Sequence, residues 1–378
     1  KKTLSYNEWL NKLGYDGPNP WNDWANSAEG ENGEILSGWR LRNSNKPARI
    51  PEEHSETAFM TNRAMEFIEE SKDKPWFLHL SYIKPHWPYM APAPYHNMYS
   101  ANEFYPVHRN DAERNNDHPV YKAFMENSIS KTFSKDEVRN TVLAGYMGLI
   151  KQIDDNLGRL FKFLESSGHM DDTMIIFTSD HGDYQGDHWL GEKELFHEAS
   201  VKIPLIIVDP RKSADKTRGQ ISQQLVESID LLPTFIEAVD LQVPTGRLEG
   251  HSLMPIINNE VENNLRNTVF SELDYGCYPV SDKLNINVND ARIFMIRNHK
   301  WKYIYYKGFD AQLFDLENDP NEFNDLGTSS THSDIRKTMK DLLLDRLISR
   351  KNRVTQEDDV YAEMKRDDNK KGIIIGRW

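Results

Sequence analysis

Apolar residues recur at spacings of three and four between positions 135 and 167. Val142, Tyr146, Leu149, Ile150, Ile153, Leu157, Leu160, Phe161 and Leu164 mark one face of a long amphipathic helix. Ser134 and Glu137 stand in the S-x-x-E relation of a capping box, and Gly168 stands where a left-handed C-terminal cap belongs. A shorter helical pattern covers 55–70. Pro75 then opens an alternation of Trp76, Leu78, Leu80 and Tyr82 that predicts a strand. The run Lys84-Pro85-His86-Trp87-Pro88 predicts a loop, and the prolines after it keep the backbone extended.

Two apolar runs, Met174–Thr178 and Ile203–Val208, predict buried strands, and Asp230 predicts a helix start with Pro233 in its first turn. This alternation points to an α/β layer with a parallel sheet. Beyond residue 265 the pattern changes. Arg292–Ile296 and Trp301–Tyr306 read as a hairpin turning at Asn298-His299, and 313–326 as an acidic loop. Ile335, Met339, Leu342, Leu343 and Leu347 mark a last amphipathic helix, and the tail 351–378 is charged. Residues 1–50, rich in Trp, Asn and Gly, carry no sustained period and read as irregular. The expected domains are 1–264, an α/β portion; 265–350, a smaller α+β subdomain; and 351–378, an arm for self-association into a homo-oligomer.

Composition narrows the function. A formal net charge of −13 over 378 residues, with scattered Lys-Arg pairs, argues against nucleic acid as a partner. The single cysteine, Cys277, excludes an intrachain disulfide framework and a cysteine-based zinc site. No apolar run approaches the roughly 18 residues of a membrane helix, so no membrane partner is expected. The chain begins at Lys1 without Met and shows no leader, which reads as a processed or truncated start. A cytoplasmic location is expected, with periplasm or secretion as alternatives.

The chemistry concentrates at the end of the first buried run, in Thr178-Ser179-Asp180-His181-Gly182. Side chains at the carboxyl end of such a strand project into the crevice where α/β proteins bind ligands. Asp180 offers a hard oxygen and neutral His181 a borderline nitrogen. That pair suits one divalent metal ion, Mn²⁺ or Zn²⁺ before Ca²⁺, although two residues do not complete a site. The plainer alternative is an Asp capping a turn beside a surface His. Lys193, thirteen residues after Asp180, can hold a non-bridging oxygen, or be an ordinary solvated lysine. His86, fixed between prolines, can protonate a leaving oxygen or bind an anion, or simply stack on Trp87. Asp183, Asp187, His188 and His197 are weaker ligand candidates in a polar loop.

Together these segments resemble the sulfatase branch of the alkaline phosphatase superfamily. Thr178–Asp183 is similar to its T-[SA]-D-[HN]-G-[DE] metal motif, with Lys193 where the active-site lysine follows. Val201–Leu205 resembles its R-[IV]-P-L strand, with Lys202 replacing the usual arginine. Ser228–Thr234 resembles S-x-x-D-x-x-P-T, and Leu313–Glu322 resembles the later L-[YF]-D-L-x-x-D-P-x-E signature. Within the family the likeness is strongest to bacterial phosphonate monoester hydrolases, through 76–86, 91–96 and 186–191.

The resemblance implies an alkaline phosphatase-like α/β fold: a mixed, mostly parallel sheet flanked by helices, with a smaller C-terminal α+β subdomain. It implies a small anionic ester substrate (phosphonate monoester, phosphodiester or sulfate ester), with a metal at Asp180 and His181 and with His86 and Lys193 on the transferred group. The departure is at the nucleophile. The formylglycine motif, C-x-P-S-R or S-x-P-S-R, is not in these 378 residues, and Cys277-Tyr278-Pro279-Val280-Ser281 imitates only its start. The chain therefore reads as a later portion of such an enzyme, its nucleophile supplied by an amino-terminal segment or a companion chain. An arylsulfatase, or a non-catalytic partner subunit, are the other readings.

Overall fold

In a computed structural model, the described residues are 5–100, 103–115, 117–260, 264–351, 355 and 360. Elements follow in the order α1 (Tyr6–Lys12), β1 (Ser27–Glu29), β2 (Ile35–Ser37), α2 (Glu56–Ser71), α3 (Pro119–Met125), α4 (Ser128–Phe133), α5 (Asp136–Ser167), β3 (Ile175–Thr178), α6 (Glu198–Val201), β4 (Leu205–Val208), α7 (Leu231–Ala238), α8 (Met254–Ile257), β5 (Val269–Asp274), α9 (Pro279–Lys283), β6 (Arg292–Arg297), β7 (Trp301–Tyr306), β8 (Gln312–Asp315) and α10 (Ser333–Ile348). The described residues form two compact units, one drawn from 5–115, 122–173 and 183–193, the other from 117–121, 174–182 and 194–351. Among the described residues no helix is long and apolar enough to cross a membrane. The tail expected to serve self-association lies almost wholly outside the described residues.

The first unit is organised around α5. Val142 and Leu149 pack with Tyr89, Tyr95 and Phe133, all buried. Gly145 lets the helix approach other backbone: a Cβ there would stand 2.7 Å from the Ser44 carbonyl oxygen. Gly168 ends the helix in the left-handed region, as expected, and its amide donates to Leu164 and Glu165. The start differs from the capping box predicted at Ser134 and Glu137. The N-cap is Lys135, with no side-chain cap. Ser134 instead closes the unforeseen α4, its hydroxyl donating to the Ser130 carbonyl at 2.8 Å. A serine between two helices can serve the end of one or the start of the next, and local pattern does not say which.

The alternation from Trp76 to Tyr82 is present as burial, with Trp76, Leu78, Leu80 and Tyr82 half-buried and their neighbours exposed. No strand forms there among the described residues, contrary to expectation. Period-two burial belongs to any extended backbone, whereas a strand also needs a hydrogen-bonded neighbour. Residues 1–50 are more regular than expected. Ser5 and Glu8 make a reciprocal capping box for α1, and β1 pairs antiparallel with β2.

In the second unit, β3 and β4 pair antiparallel, Phe177 opposite Ile206 and Ile175 opposite Val208, where the sequence pattern predicts a parallel layer. The hairpin predicted at Asn298-His299 is present. It belongs to a four-stranded antiparallel sheet in the order β5-β6-β7-β8, whose last strand takes in the start of the segment read as an acidic loop. Ile296, Tyr303 and Leu313 of this sheet pack against Met339 and Leu343 of α10. Asp230 does stand at the N-cap of α7, yet it makes no side-chain cap there. Its carboxylate takes both arms of Arg266, each at 2.5 Å, and the amides of Glu227 and His251.

Candidate functional site

In the second unit, β3 runs straight into the acid–imidazole pair. The Gly182 amide donates to the Ser200 carbonyl at 2.7 Å, and a Cβ on Gly182 would stand 2.0 Å from the Ala199 carbonyl oxygen. Only glycine permits that approach. His181 Nδ1 lies 2.6 Å from the Gly182 carbonyl oxygen. A carbonyl can only accept, so Nδ1 carries a proton, and in the neutral imidazole the lone pair is on Nε2. Nε2 lies 3.7 Å from Asp180 Oδ2, on a carboxylate whose side chain is 89% exposed.

Two donors bound to one ion at about 2.1 Å can lie at most about 4.2 Å apart, so this pair fits a shared cation. The fixed Nδ1 proton is the arrangement a metal-binding imidazole needs. The pair supplies two donors only, and among the described residues no group of three or more His, Cys, Asp or Glu side chains is placed to hold a metal ion.

In the first unit, two further candidates come together. His86 Nδ1 lies 3.2 Å from the Trp87 carbonyl oxygen, which again leaves the lone pair on Nε2. Lys193 Nζ is 3.3 Å from that Nε2. Each residue has its own support. Beneath the His86 loop, buried Lys84 donates to Asn26 Oδ1 at 2.7 Å and to the Pro88 carbonyl. Burial lowers the Lys84 pKa to about 7, against the pull of Glu56. Sequence inspection treats Lys84 as one more loop residue. Its neighbours Pro85 and Pro88 were the available signal that the loop is rigid.

The Lys193 loop is held on several sides. Asp183 Oδ2 accepts from the buried Tyr89 hydroxyl at 2.8 Å, and Asp187 accepts from the His108 amide at 2.9 Å. His188 Nδ1 meets Glu113 at 2.7 Å with both side chains buried. Trp189 lies under the guanidinium groups of Arg109 at 4.2 Å and Arg114 at 4.6 Å. Gln185, His188, Trp189 and Glu192 all have φ between 47° and 61°. Such a run of left-handed non-glycine residues costs energy and persists only where packing over-determines it. The weaker candidates Asp183, Asp187 and His188 are thus engaged in holding this loop, and His197 is buried against Tyr121 and Phe314. Cys277 is an exposed free thiol in a turn.

The family model described as Sulfatase matches residues 3–241, and that described as N-sulphoglucosamine sulphohydrolase, C-terminal, matches residues 186–349. The chain is 35% identical over 300 residues to a multifunctional alkaline phosphatase superfamily protein, PehA, of Trinickia caryophylli, covering 75% of this chain and 57% of that protein. It is 25% identical over 331 residues to an arylsulfatase of Clostridium perfringens, covering 86% and 65% respectively. Among solved structures it is similar to the phosphonate monoester hydrolase SpPMH from Silicibacter pomeroyi, with a TM-score of 0.80 and 26% identity over 93% of this chain and 70% of that one. The chain thus spans less than two thirds of each of these two curated relatives, and its α/β architecture is that of the alkaline phosphatase-like enzymes.

Proposed function

The chain belongs to the sulfatase family of the alkaline phosphatase superfamily, and from that premise we propose that it forms part of a metal-dependent hydrolase of phosphonate monoesters and phosphodiesters that also accepts sulfate esters. The observation that carries this reading is the pairing of Asp180 with a His181 whose Nε2 lone pair is directed by its Nδ1–Gly182 bond. The phosphorus preference draws support from the likeness to SpPMH and PehA.

In this reading Asp180 and His181 hold the divalent cation, Mn²⁺ or Zn²⁺ before Ca²⁺. When bound it supplies charge neutralisation for the non-bridging oxygens of the ester. By the same family likeness Lys193 and His86, whose Nζ and Nε2 are 3.3 Å apart, contact the transferred group, and one or the other aids the leaving oxygen. The formylglycine-type nucleophile comes from a polypeptide outside these 378 residues, an amino-terminal segment or a companion chain. The exposed apolar side chains Ile206 and Val208 of β4 support a covering polypeptide of this kind.

A panel of an aryl phosphonate monoester, an aryl phosphodiester and an aryl sulfate, run with added Mn²⁺, Zn²⁺ or Ca²⁺, tests the reaction. Turnover of the phosphorus esters is expected. Selective turnover of the sulfate would favour the arylsulfatase reading, which the Clostridium relative supports. Intact mass of the active protein from its natural source tests the nucleophile's origin. An active preparation consisting of a lone 44.0 kDa species would overturn it.

A further inference from the structure

The signature Leu313–Glu322 lies far along the chain from Asp180 and plays no part in the chemistry above. Its last residue, Glu322, is 3% exposed and has a φ of 57°, a conformation a glutamate adopts only under constraint. Its Oε2 accepts from the amide of Glu198, the first residue of α6, at 2.7 Å, and its Oε1 pairs with Lys302 Nζ at 2.6 Å. Lys302, on β7, is fully buried. Its ammonium also contacts Glu198 Oε1 at 2.8 Å and donates to the Phe196 carbonyl at 2.7 Å. Arg297 on β6 adds a second cation 3.3 Å from Glu198 Oε1, so two acids face two bases.

These contacts grip α6 at its first turn. Two residues on, α6 presents the Ser200 carbonyl that takes the Gly182 amide, and the Gly182 carbonyl takes the His181 Nδ1 proton. The relay to the acid–imidazole pair thus runs through the hydrogen bonds of Glu198 with Lys302 and Glu322 and those of Gly182 with Ser200 and His181, while Glu322 Oε1 and Arg297 Nε add ion-pair contacts only. A buried ion pair is an expensive way to stabilise a protein, since a well-packed apolar substitute often does as well. What it does supply is a fixed geometry.

We infer that Lys302 and Glu322 are positioning residues for the Asp180–His181 pair, acting through α6 and Gly182. This inference rests on the proposed role of that pair, and the following experiment separates the two. In the full chain, Gly182 amide exchange and the His181 imidazole resonances are followed by NMR in wild type, Glu322→Gln, Glu322→Asp and Lys302→Arg. Glu322→Gln is expected to speed Gly182 exchange at least tenfold and shift the His181 resonances, while amides of β5 and β6 change less than twofold. Lys302→Arg, which keeps the charge, is expected to stay near wild type. Should Glu322→Gln fail to fold, Glu322→Asp, which keeps the charge and shortens the reach, reads the same signals.

Unchanged Gly182 and His181 signals would overturn the inference, as would equal acceleration across β5, β6 and Gly182. Mn²⁺ added alone tests the cation reading independently. Broadening of the His181 resonances in wild type that persists undiminished in Asp180→Asn would sink that reading, while the exchange data still decide the positioning role.

Discussion

Two antiparallel ladders in the second unit differ in what they do with their apolar faces. β5–β8 buries Ile296, Tyr303 and Leu313 against Met339 and Leu343 of α10. β3–β4, built from equally apolar residues, leaves Ile206 58% and Val208 44% exposed and Phe177 38% exposed. Yet β3–β4 ends in the acid–imidazole pair, and β5–β8 carries none of the residues assigned to the chemistry. The contrast separates forming a strand from burying one. β-branched residues favour both ladders, but only the covered sheet gains the burial free energy that stabilises a domain. Within this unit stability resides in β5–β8 and α10, and the candidate metal-binding pair follows β3.

Four substitutions test this division. Lys302→Met should cost most, about 3–5 kcal/mol in urea unfolding, because it leaves the buried Glu322 carboxylate without its cation and takes from Glu198 the nearer of its two. A cost under about 1 kcal/mol would remove the network's structural importance. Leu343→Ala should cost about 2–5 kcal/mol through the cavity it opens under the sheet. Any folded fraction should keep its Mn²⁺ response at His181. Asp180→Asn should do the opposite, leaving the unfolding midpoint nearly unchanged because its side chain is 89% exposed, while lowering Mn²⁺ affinity tenfold or more. Coupled losses of stability and metal response in both variants would dissolve the comparison. Ile206→Thr should have the smallest effect, within about 0.5 kcal/mol, unless a companion polypeptide is bound there. A large cost in the isolated chain would mean that this face is already covered.

Acid provides a further test. Burial pushes the Glu198 carboxyl up, but Lys302, Arg297 and Lys202 more than offset it and hold it below the usual value of 4.5. The unfolded chain therefore takes up that proton more readily than the folded one. The resulting stability is present above about pH 4.5 and is lost as the pH falls through the lower folded value. Urea midpoints measured from pH 6 to pH 3 should fall less steeply in Glu198→Gln than in wild type. Parallel curves would mean that the carboxylate is not held by its cations.

Where one segment carries its own periodicity, the chain could be read directly. α5 with its Gly168 cap, the hairpin at Asn298-His299 and the α10 stripe all follow from spacings within a single element. Asp180, His181, Lys193 and His86 stood out for the same reason, as chemistry-bearing residues in short glycine- or proline-punctuated runs. The pairing of His86 with Lys193 at 3.3 Å, across 107 residues, left no local mark. Neither did the use of Ser134 to end α4, nor the diversion of the Asp230 carboxylate to Arg266. Each depends on which distant group competes for the same atom.

The sequence by itself determined where the long helices α2, α5 and α10 run and to which family the chain belongs, because periodicity and motif are properties of neighbours along the chain. Only the tertiary structure decided that the alternating run at 76–82 stays unpaired among the described residues, that β3 and β4 run antiparallel, and that Lys302 and Glu322 brace α6. Ladders and buried ion pairs are made by groups far apart in the chain, and their energies exist only once folding has brought those groups together.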